Sequence, residues 1–287
     1  MQLLDGKSLA ARRLPELRAR AQALAATRGR VPLLGILGFA DASGRVPHVA
    51  PKVRAAEACG IDVQVVAVPN GAPLAEALTA MRELGAQPGL DGLFVQFPYP
   101  DASWGAEIEA LIPAALDVDV MAPSEVERYR RDAEMLPPVT VSAALMLVDD
   151  AALTLAGRSG VVVAEPSPFA EMFRVAFERR GVRMAGLLRP ADAAQSTVLR
   201  ESSLVIVAAG EPSVVDARVL APGAIAIDVG YFNAGARGDI ANAETARHLD
   251  AIVPVPGGIG PMTISALLER VLLFAQRTTK PNGISTT

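Results

Sequence analysis

Short, continuous apolar runs alternate with amphipathic stretches along most of the chain. Pro32 to Phe39, Asp62 to Val68 and Gly92 to Phe97 read as strands, since brief apolar runs bounded by turn residues suit a buried parallel sheet. Lys52 to Cys59 and Leu74 to Leu84 carry helical spacing, and Gly60 closes the first of them. Leu9 to Thr27 is also helical in period, with Pro15 tolerable only near its start. Helices are expected near Gly105 to Leu111 and over Ser142 to Asp149. The second half repeats the scheme: strand Gly160 to Ala164, helix Phe169 to Arg180, then strands Val182 to Leu188, Leu204 to Ala208 and Ala224 to Val229. An amphipathic helix, Thr263 to Gln276, ends the pattern, and the polar tail from Thr278 is expected to fray.

Strands alternating with helices over short connections predict an α/β fold with parallel sheet. Pro137-Pro138 marks a boundary between two α/β domains, residues 1–138 and a Rossmann-like 139–263, with 264–287 returning to the first. Apolar residues make up 51% and aromatics 4%, so the cores are aliphatic. A net charge of −4 argues against nucleic acid as a partner. Cys59 is the single cysteine, and with only His48 and His248 beside it no His/Cys metal site is expected. Met1 to Lys7 shows no signal-peptide pattern, and no apolar run reaches the roughly 18 residues of a membrane span. A cytoplasmic enzyme, not a membrane protein, is the expected class.

Four segments hold candidate chemistry. His48 and Lys52 are four residues apart and would share one face if that stretch were helical. A lysine beside a cleft can move a proton once burial lowers its pKa, while the plain alternative is a solvated surface lysine. Gln96 is a lone amide ending an apolar strand, where open α/β sheets bind ligands, although a buried glutamine bonded to backbone fits equally well. Asp117 and Asp119 share a face if extended and can accept hydrogen bonds from a guanidine-like ring edge, or belong to an ordinary polar turn. Val255 to Thr263 packs Pro256, Gly257, Gly258, Gly260 and Pro261 into a shaped turn that opens a helix. Its glycines permit close approach of a ligand, and free helix N–H groups attract polar ones.

The turn after Val161-Val162-Val163-Ala164 is informative by what it lacks. A dinucleotide-binding domain places a glycine-rich phosphate loop there. Here it reads Glu165-Pro166-Ser167-Pro168-Phe169-Ala170-Glu171, and no glycine occurs between Gly160 and Gly181.

Together these pieces resemble the bifunctional methylenetetrahydrofolate dehydrogenase/cyclohydrolase family. The resemblance runs from Leu4-Asp5-Gly6-Lys7 through Lys52, Val95-Gln96-Phe97-Pro98, Asp117-Val118-Asp119 and Ala224 to Gly230. It ends on Pro256-Gly257-Gly258-Ile259-Gly260-Pro261-Met262-Thr263. It implies a folate substrate, Lys52 and Gln96 at the bridging carbon, Asp119 on the pterin ring, and the proline-glycine run near folate and nicotinamide. It also implies a homodimer through the second domain. The family's tyrosine four residues before the lysine is here His48, whose imidazole could relay a proton near neutral pH.

The family's Gly-Arg-Ser-X-X-X-Gly-Lys-Pro loop aligns with Ala164 to Met172, so the arginine and lysine positions have become Glu165 and Glu171. Charge reversal turns attraction for phosphate into repulsion. The positions that would meet a cofactor, Ala164, Glu165, Arg189, Ala209, Gly210, Asp228 and Gly230, are therefore doubtful binders of NADP, although Arg189 is retained. No acid stands ready for a ribose 2′-hydroxyl, so a switch to NAD is not indicated. Val120-Met121-Ala122 replaces the family's Gly-Phe-His, and Asp41 to Pro47 is about two residues longer than the usual pattern.

The resulting expectation is a tetrahydrofolate one-carbon enzyme that has lost NADP-dependent dehydrogenation. It would hydrolyse the methenyl form or pass the carbon to a second substrate. The alternatives are a conventional bifunctional NADP-dependent enzyme and a non-catalytic folate-binding paralogue.

Overall fold

The computed structural model describes residues 1–121, 123–132, 134–230 and 237–277. Ala122 and the tail from Thr278, on which two of the expectations fall, lie outside the described residues. The helices are α1 (Gly6–Arg28), α2 (Ala50–Cys59), α3 (Leu74–Gly85), α4 (Gly105–Glu109), α5 (Pro123–Arg131), α6 (Val139–Asp150), α7 (Pro168–Glu178), α8 (Thr197–Glu201) and α9 (Ile259–Arg277). The strands are β1 (Gln2–Leu3), β2 (Leu33–Ala40), β3 (Asp62–Pro69), β4 (Gly92–Gln96), β5 (Ser159–Val163), β6 (Arg183–Leu188), β7 (Leu204–Val207), β8 (Val215–Asp216), β9 (Ile225–Asp228), β10 (Ile240–Ala241) and β11 (Ala251–Val253).

The chain divides into two compact units, Met1–Arg12 with Glu134–Thr263, and Arg13–Ala133 with Ile264–Thr287. The first is built on a six-stranded sheet ordered β1-β11-β9-β7-β5-β6. Every neighbouring pair in it is parallel. β7 and β9 are buried throughout, which suits the unbroken apolar sequence of β7 and the apolar run of β9 up to Asp228. The core packs Val161, Val163, Val205, Val207, Ala226 and Ile252. The second unit carries a three-stranded parallel sheet ordered β3-β2-β4. Leu37, Phe39, Met81, Leu93, Val95 and Ile108 form its core.

Both sheets contain a reversal of strand order, between β2 and β4 in one and between β5 and β7 in the other. Such a reversal opens a crevice at the carboxyl ends of its strands, where open α/β sheets bind ligands.

Several expectations need adjusting. Met1–Arg12 do not group with the residues that follow them, because β1 adds to β11 through Gln2 N donating to Asp250 O and Leu4 N donating to Ile252 O. α1 begins at Gly6, where the Asp5 carboxylate accepts from Ser8 N at 3.0 Å, so Pro15 lies inside the helix and not near its start. α9 begins at Ile259, so Gly260, Pro261 and Thr263 belong to its first turns. Its nineteen residues are long and apolar enough to cross a bilayer, but Leu267, Leu268, Val271 and Leu272 are buried in the protein core. β1, β11 and α5 were not anticipated: two are very short, and α5 is mostly charged.

Candidate functional site

The crevice between β2 and β4 gathers three of the predicted residues. Lys52 lies in the first turn of α2, the helix that follows β2, and Gln96 is the last residue of β4. Lys52 Nζ donates to Gln96 Oε1 at 2.7 Å and to the His48 carbonyl at 3.3 Å, and it stands 6.0 Å from the centre of the Phe94 ring. Burial holds the Lys52 ammonium below its usual pKa, with Asp119 pulling the other way. Gln96 is buried, and its amide nitrogen donates to Phe97 O at 2.6 Å. Both ends of this amide are thus committed, and its oxygen is turned to the lysine.

His48 is not on a shared helical face. It precedes α2 in left-handed backbone, φ 60°, and meets Lys52 through its carbonyl. Although the residue is exposed, local desolvation around the ring and the Lys52 charge lower its imidazole pKa. The long Asp41 to Pro47 loop is folded on itself. Asp41 Oδ1 accepts from Ser43 N and Arg45 N, and Val46 fills space over β2 that any side chain at Gly38 would occupy, 2.3 Å from an ideal Cβ.

Asp117 and Asp119 have different tasks. The segment around Asp117 runs beside β4, with Leu93 N donating to Leu116 O. Asp117 is buried, and its Oδ1 accepts from Asp119 N at 3.2 Å and from Val120 N at 2.7 Å. It thereby holds Val120 in left-handed backbone at φ 62°, a costly conformation for a β-branched residue. Asp119 stays partly exposed, and its charge acts on both Lys52 and Arg270.

Sequence reasoning missed three residues of this unit. Arg270 of α9 is buried, and burial lowers its pKa to about 10 against the pull of Asp119 and Asp117. A lone arginine in the apolar run Leu267 to Phe274 was the available signal. Tyr99 and Glu109 form a hydrogen bond of 2.7 Å, hydroxyl to carboxylate. Burial chiefly raises the Glu109 pKa to about 7, and the negative charges of Asp119 and Asp117 add to that. No sequence signal marked this pair.

The second crevice, between β5 and β7, is built differently. Ala164 is buried, while Glu165 to Pro168 are exposed. Ser167 caps α7, its side chain accepting from Ala170 N at 3.2 Å, and Pro168 contributes no donor. Glu171 is held by Arg174, which also bonds Glu178 at 2.5 Å. Arg189, retained as a candidate phosphate ligand, faces Glu165 at 3.9 Å with both side chains mostly exposed.

The remaining positions singled out for a cofactor serve two internal carboxylates. Ala209 N and Gly210 N donate to Asp239 Oδ2 at 2.7 and 3.2 Å. Asp228 accepts from Gly230 N, Asp239 N and Ile240 N. Burial pushes Asp228 up to about 7 against these donors. Gly230 makes room for Asp239, since an added Cβ would stand 2.1 Å from its Oδ1. The proline-glycine run closes on the amino-terminal motif of its own unit: Lys7 N donates to Gly257 O at 2.8 Å, and a Cβ on Gly6 would lie 1.9 Å from Gly258 O. Pro256 follows a cis peptide, Gly257 takes φ 102°, and the Thr263 hydroxyl donates to Ile259 O. Among the described residues no group of three His, Cys, Asp or Glu side chains is arranged to hold a metal.

Two crevices of doubly wound type, one holding a half-buried lysine bonded to a buried amide, define a two-unit α/β enzyme. Residues 4–119 match the model for the catalytic domain of tetrahydrofolate dehydrogenase/cyclohydrolase, and residues 138–279 match the model for its NAD(P)-binding domain. The chain belongs to this family of folate one-carbon enzymes. It is 32% identical to bifunctional protein FolD of Acidiphilium cryptum (strain JF-5), covering 95% of this chain and 97% of the relative. It is 30% identical to bifunctional protein FolD 3 of Ectopseudomonas mendocina (strain ymp), covering 99% and 94%. Among solved structures it resembles the bifunctional FolD methylenetetrahydrofolate dehydrogenase/cyclohydrolase of Campylobacter jejuni, with 27% identity, a TM-score of 0.86 and coverage of 97% and 99%. The Trypanosoma brucei enzyme complexed with NADP and an inhibitor shares the fold, at a TM-score of 0.87, 24% identity and coverage of 97% and 98%.

Proposed function

We propose that this chain hydrolyses 5,10-methenyl-tetrahydrofolate to 10-formyl-tetrahydrofolate, with Lys52 as the acid/base residue and NADP-dependent oxidation weak or lost. The observation that carries the reading is the 2.7 Å bond between half-buried Lys52 and Gln96 at the β2/β4 crevice. A lysine whose pKa is lowered by burial has more free amine near neutral pH than an exposed one. The bridging carbon of the methenyl form is electron-poor. Lys52 takes a proton from the attacking water and returns it to the ring nitrogen as the carbon–nitrogen bond breaks, leaving the formyl group on the other nitrogen and releasing one proton overall. Gln96 orients the amine, Asp119 holds the pterin edge, and Asp117 fixes the backbone on which Asp119 stands. His48 presents its carbonyl to Lys52, so its contribution is to position the amine.

Weak NADP use follows from the second crevice, where acids replace the phosphate-binding residues, Arg189 already faces Glu165, and the donors of Ala209 and Gly210 are taken. A second one-carbon acceptor in place of water is the alternative fate of the carbon in this reading. A homodimer and a cytoplasmic setting belong to the same reading. The match of residues 138–279 to an NAD(P)-binding domain favours a second reading, the conventional bifunctional enzyme. Calorimetric titration of NADP and NAD, with and without tetrahydrofolate, beside a cyclohydrolase assay, separates the two. Hydrolysis without saturable nucleotide binding supports the first reading, and micromolar NADP binding with hydride transfer replaces it by the second.

A further inference from the structure

We infer that Tyr99 and Glu109 form a positioning pair for Lys52, acting through the turn that follows β4. The inference rests on the proposed role of Lys52. Neither residue touches the lysine; a chain of contacts connects them. Glu109, buried on α4, accepts from the Tyr99 hydroxyl at 2.7 Å. The Tyr99 ring packs edge-on against Phe97, with centroids 4.9 Å apart, and against Phe39 at 5.7 Å. Gly105 leaves room for it, since an added Cβ would stand 3.2 Å from the ring. Tyr99 is thus fixed at its hydroxyl and by its two aromatic neighbours, and it fixes Phe97 in turn. The Phe97 carbonyl then accepts from Gln96 Nε2 at 2.6 Å.

That last bond decides which end of the amide faces Lys52. An amide has a donor end and an acceptor end, and only the oxygen can accept from an ammonium. If the Phe97 carbonyl moves, the amide loses the partner that selects this orientation, and a turned amide would present N–H groups to N–H groups. The lysine would then lose its 2.7 Å contact and its aim. Phe97 itself is 41% exposed, too exposed for burial alone to hold it, which is why a tether at Tyr99 matters.

The test uses the whole enzyme in the cyclohydrolase assay, with circular dichroism to confirm folding. Tyr99→Phe removes one hydroxyl and is expected to lower kcat about tenfold, the worth of one well-placed hydrogen bond, with KM changed less than about twofold. Glu109→Ala is expected to match it, and the double variant to be no worse than either. Glu109→Gln keeps an acceptor for the hydroxyl and is expected to restore kcat to within about threefold of the parent. Unchanged kcat in Tyr99→Phe, or a rise in KM alone, overturns the inference. If Glu109→Ala does not fold, Tyr99→Phe carries the test. Lys52→Met separates the two levels: loss of activity there with none in Tyr99→Phe ends the positioning role only, whereas full activity of Lys52→Met ends the acid/base reading and this inference with it.

Discussion

The molecule contains the same crevice twice, and the two copies have opposite chemistry. At the β2/β4 crevice a half-buried lysine is bonded to a buried amide, and nearby carboxyls and an arginine are buried with their charges in mutual reach. At the β5/β7 crevice Glu165 of the turn is exposed and faces an exposed Arg189, and the less exposed Glu171 is bonded to Arg174. Topology makes both places suitable for a ligand, but it does not say which is used. What distinguishes them is the partner of each buried group: Asp228 and Asp239 of the second are bonded to backbone N–H groups, whereas the first sets a lysine amine against a side-chain amide. Holding Lys52, Arg270 and Glu109 out of water costs free energy that packing alone does not require. The exposed pair Glu165–Arg189 costs almost nothing.

The sharpest way to break this comparison is Lys52→Met. The first crevice should then lose about 10²- to 10⁴-fold in the rate of methenyl-tetrahydrofolate hydrolysis, the usual worth of a positioned acid/base. Folate affinity, measured by fluorescence quenching, should change far less. Equal losses in rate and affinity would mean that the lysine binds rather than reacts.

Much of this contrast was legible in the sequence, for physical reasons that also explain the gaps. Strands buried on both faces write themselves as apolar runs, so β2, β4, β5, β7 and β9 were readable. β1 and β11 are short, and the partner that justifies β1 lies far along the chain. The glutamates of the altered turn were plain, because a charge reversal is a local fact. Their pairing with Arg189 and Arg174 was not, since it depends on the turn after β5 meeting the end of β6, and on the capping of α7. Lys52 was found through a spacing to His48 that proved not to be helical, and Gln96 through its place at a strand end. Tyr99–Glu109 and Asp239 were invisible, because each matters only through a partner that the fold supplies.

Each crevice also holds a carboxyl whose pKa is raised to about 7, Glu109 in the first and Asp228 in the second. A carboxyl whose folded pKa exceeds its unfolded one binds its proton more tightly when folded. Stability therefore falls as pH rises from the unfolded value, 4.5 for Glu109, to about 7, and levels off above that. The ceiling for Glu109 is about 3 kcal/mol. Urea melts at pH 5 and pH 8 should show Glu109→Gln losing less stability across that range than the parent. A parallel loss in both proteins would place the titration elsewhere.

A smaller effect is expected at the turn that carries Asp119, proposed above to hold the pterin edge. Asp117→Ala removes the acceptor for Asp119 N and Val120 N, and with it the support for left-handed Val120. A loss of about 1–3 kcal/mol should appear in urea melts, with a rise in the KM for folate, since Asp119 would no longer be held in place. If KM stays constant, Asp119 does not bind the pterin, and the first crevice owes its function to Lys52 and Gln96 alone.

The smallest expected effect tests the second crevice directly. Glu165→Arg exchanges an exposed acid for a base beside Arg189 and removes that arginine's 3.9 Å partner. Both side chains are exposed, so solvent screens the change, and the gain in NADP affinity should not exceed about tenfold, or about 1.4 kcal/mol. The gain should shrink as salt rises, because an exposed charge acts through a screened field. Pro166 and Pro168 would still withhold backbone donors, and the Ala209 and Gly210 amides would still be bound to Asp239, so a larger gain is not expected. A gain of a thousandfold would show that Glu165 alone had closed the site, and that the crevice is an intact cofactor site with one blocking charge. No gain at any salt would show that the backbone, with its prolines and occupied donors, closes it first. In the first case the two crevices differ by one charge; in the second they differ in backbone construction, and only the lysine crevice remains equipped for chemistry.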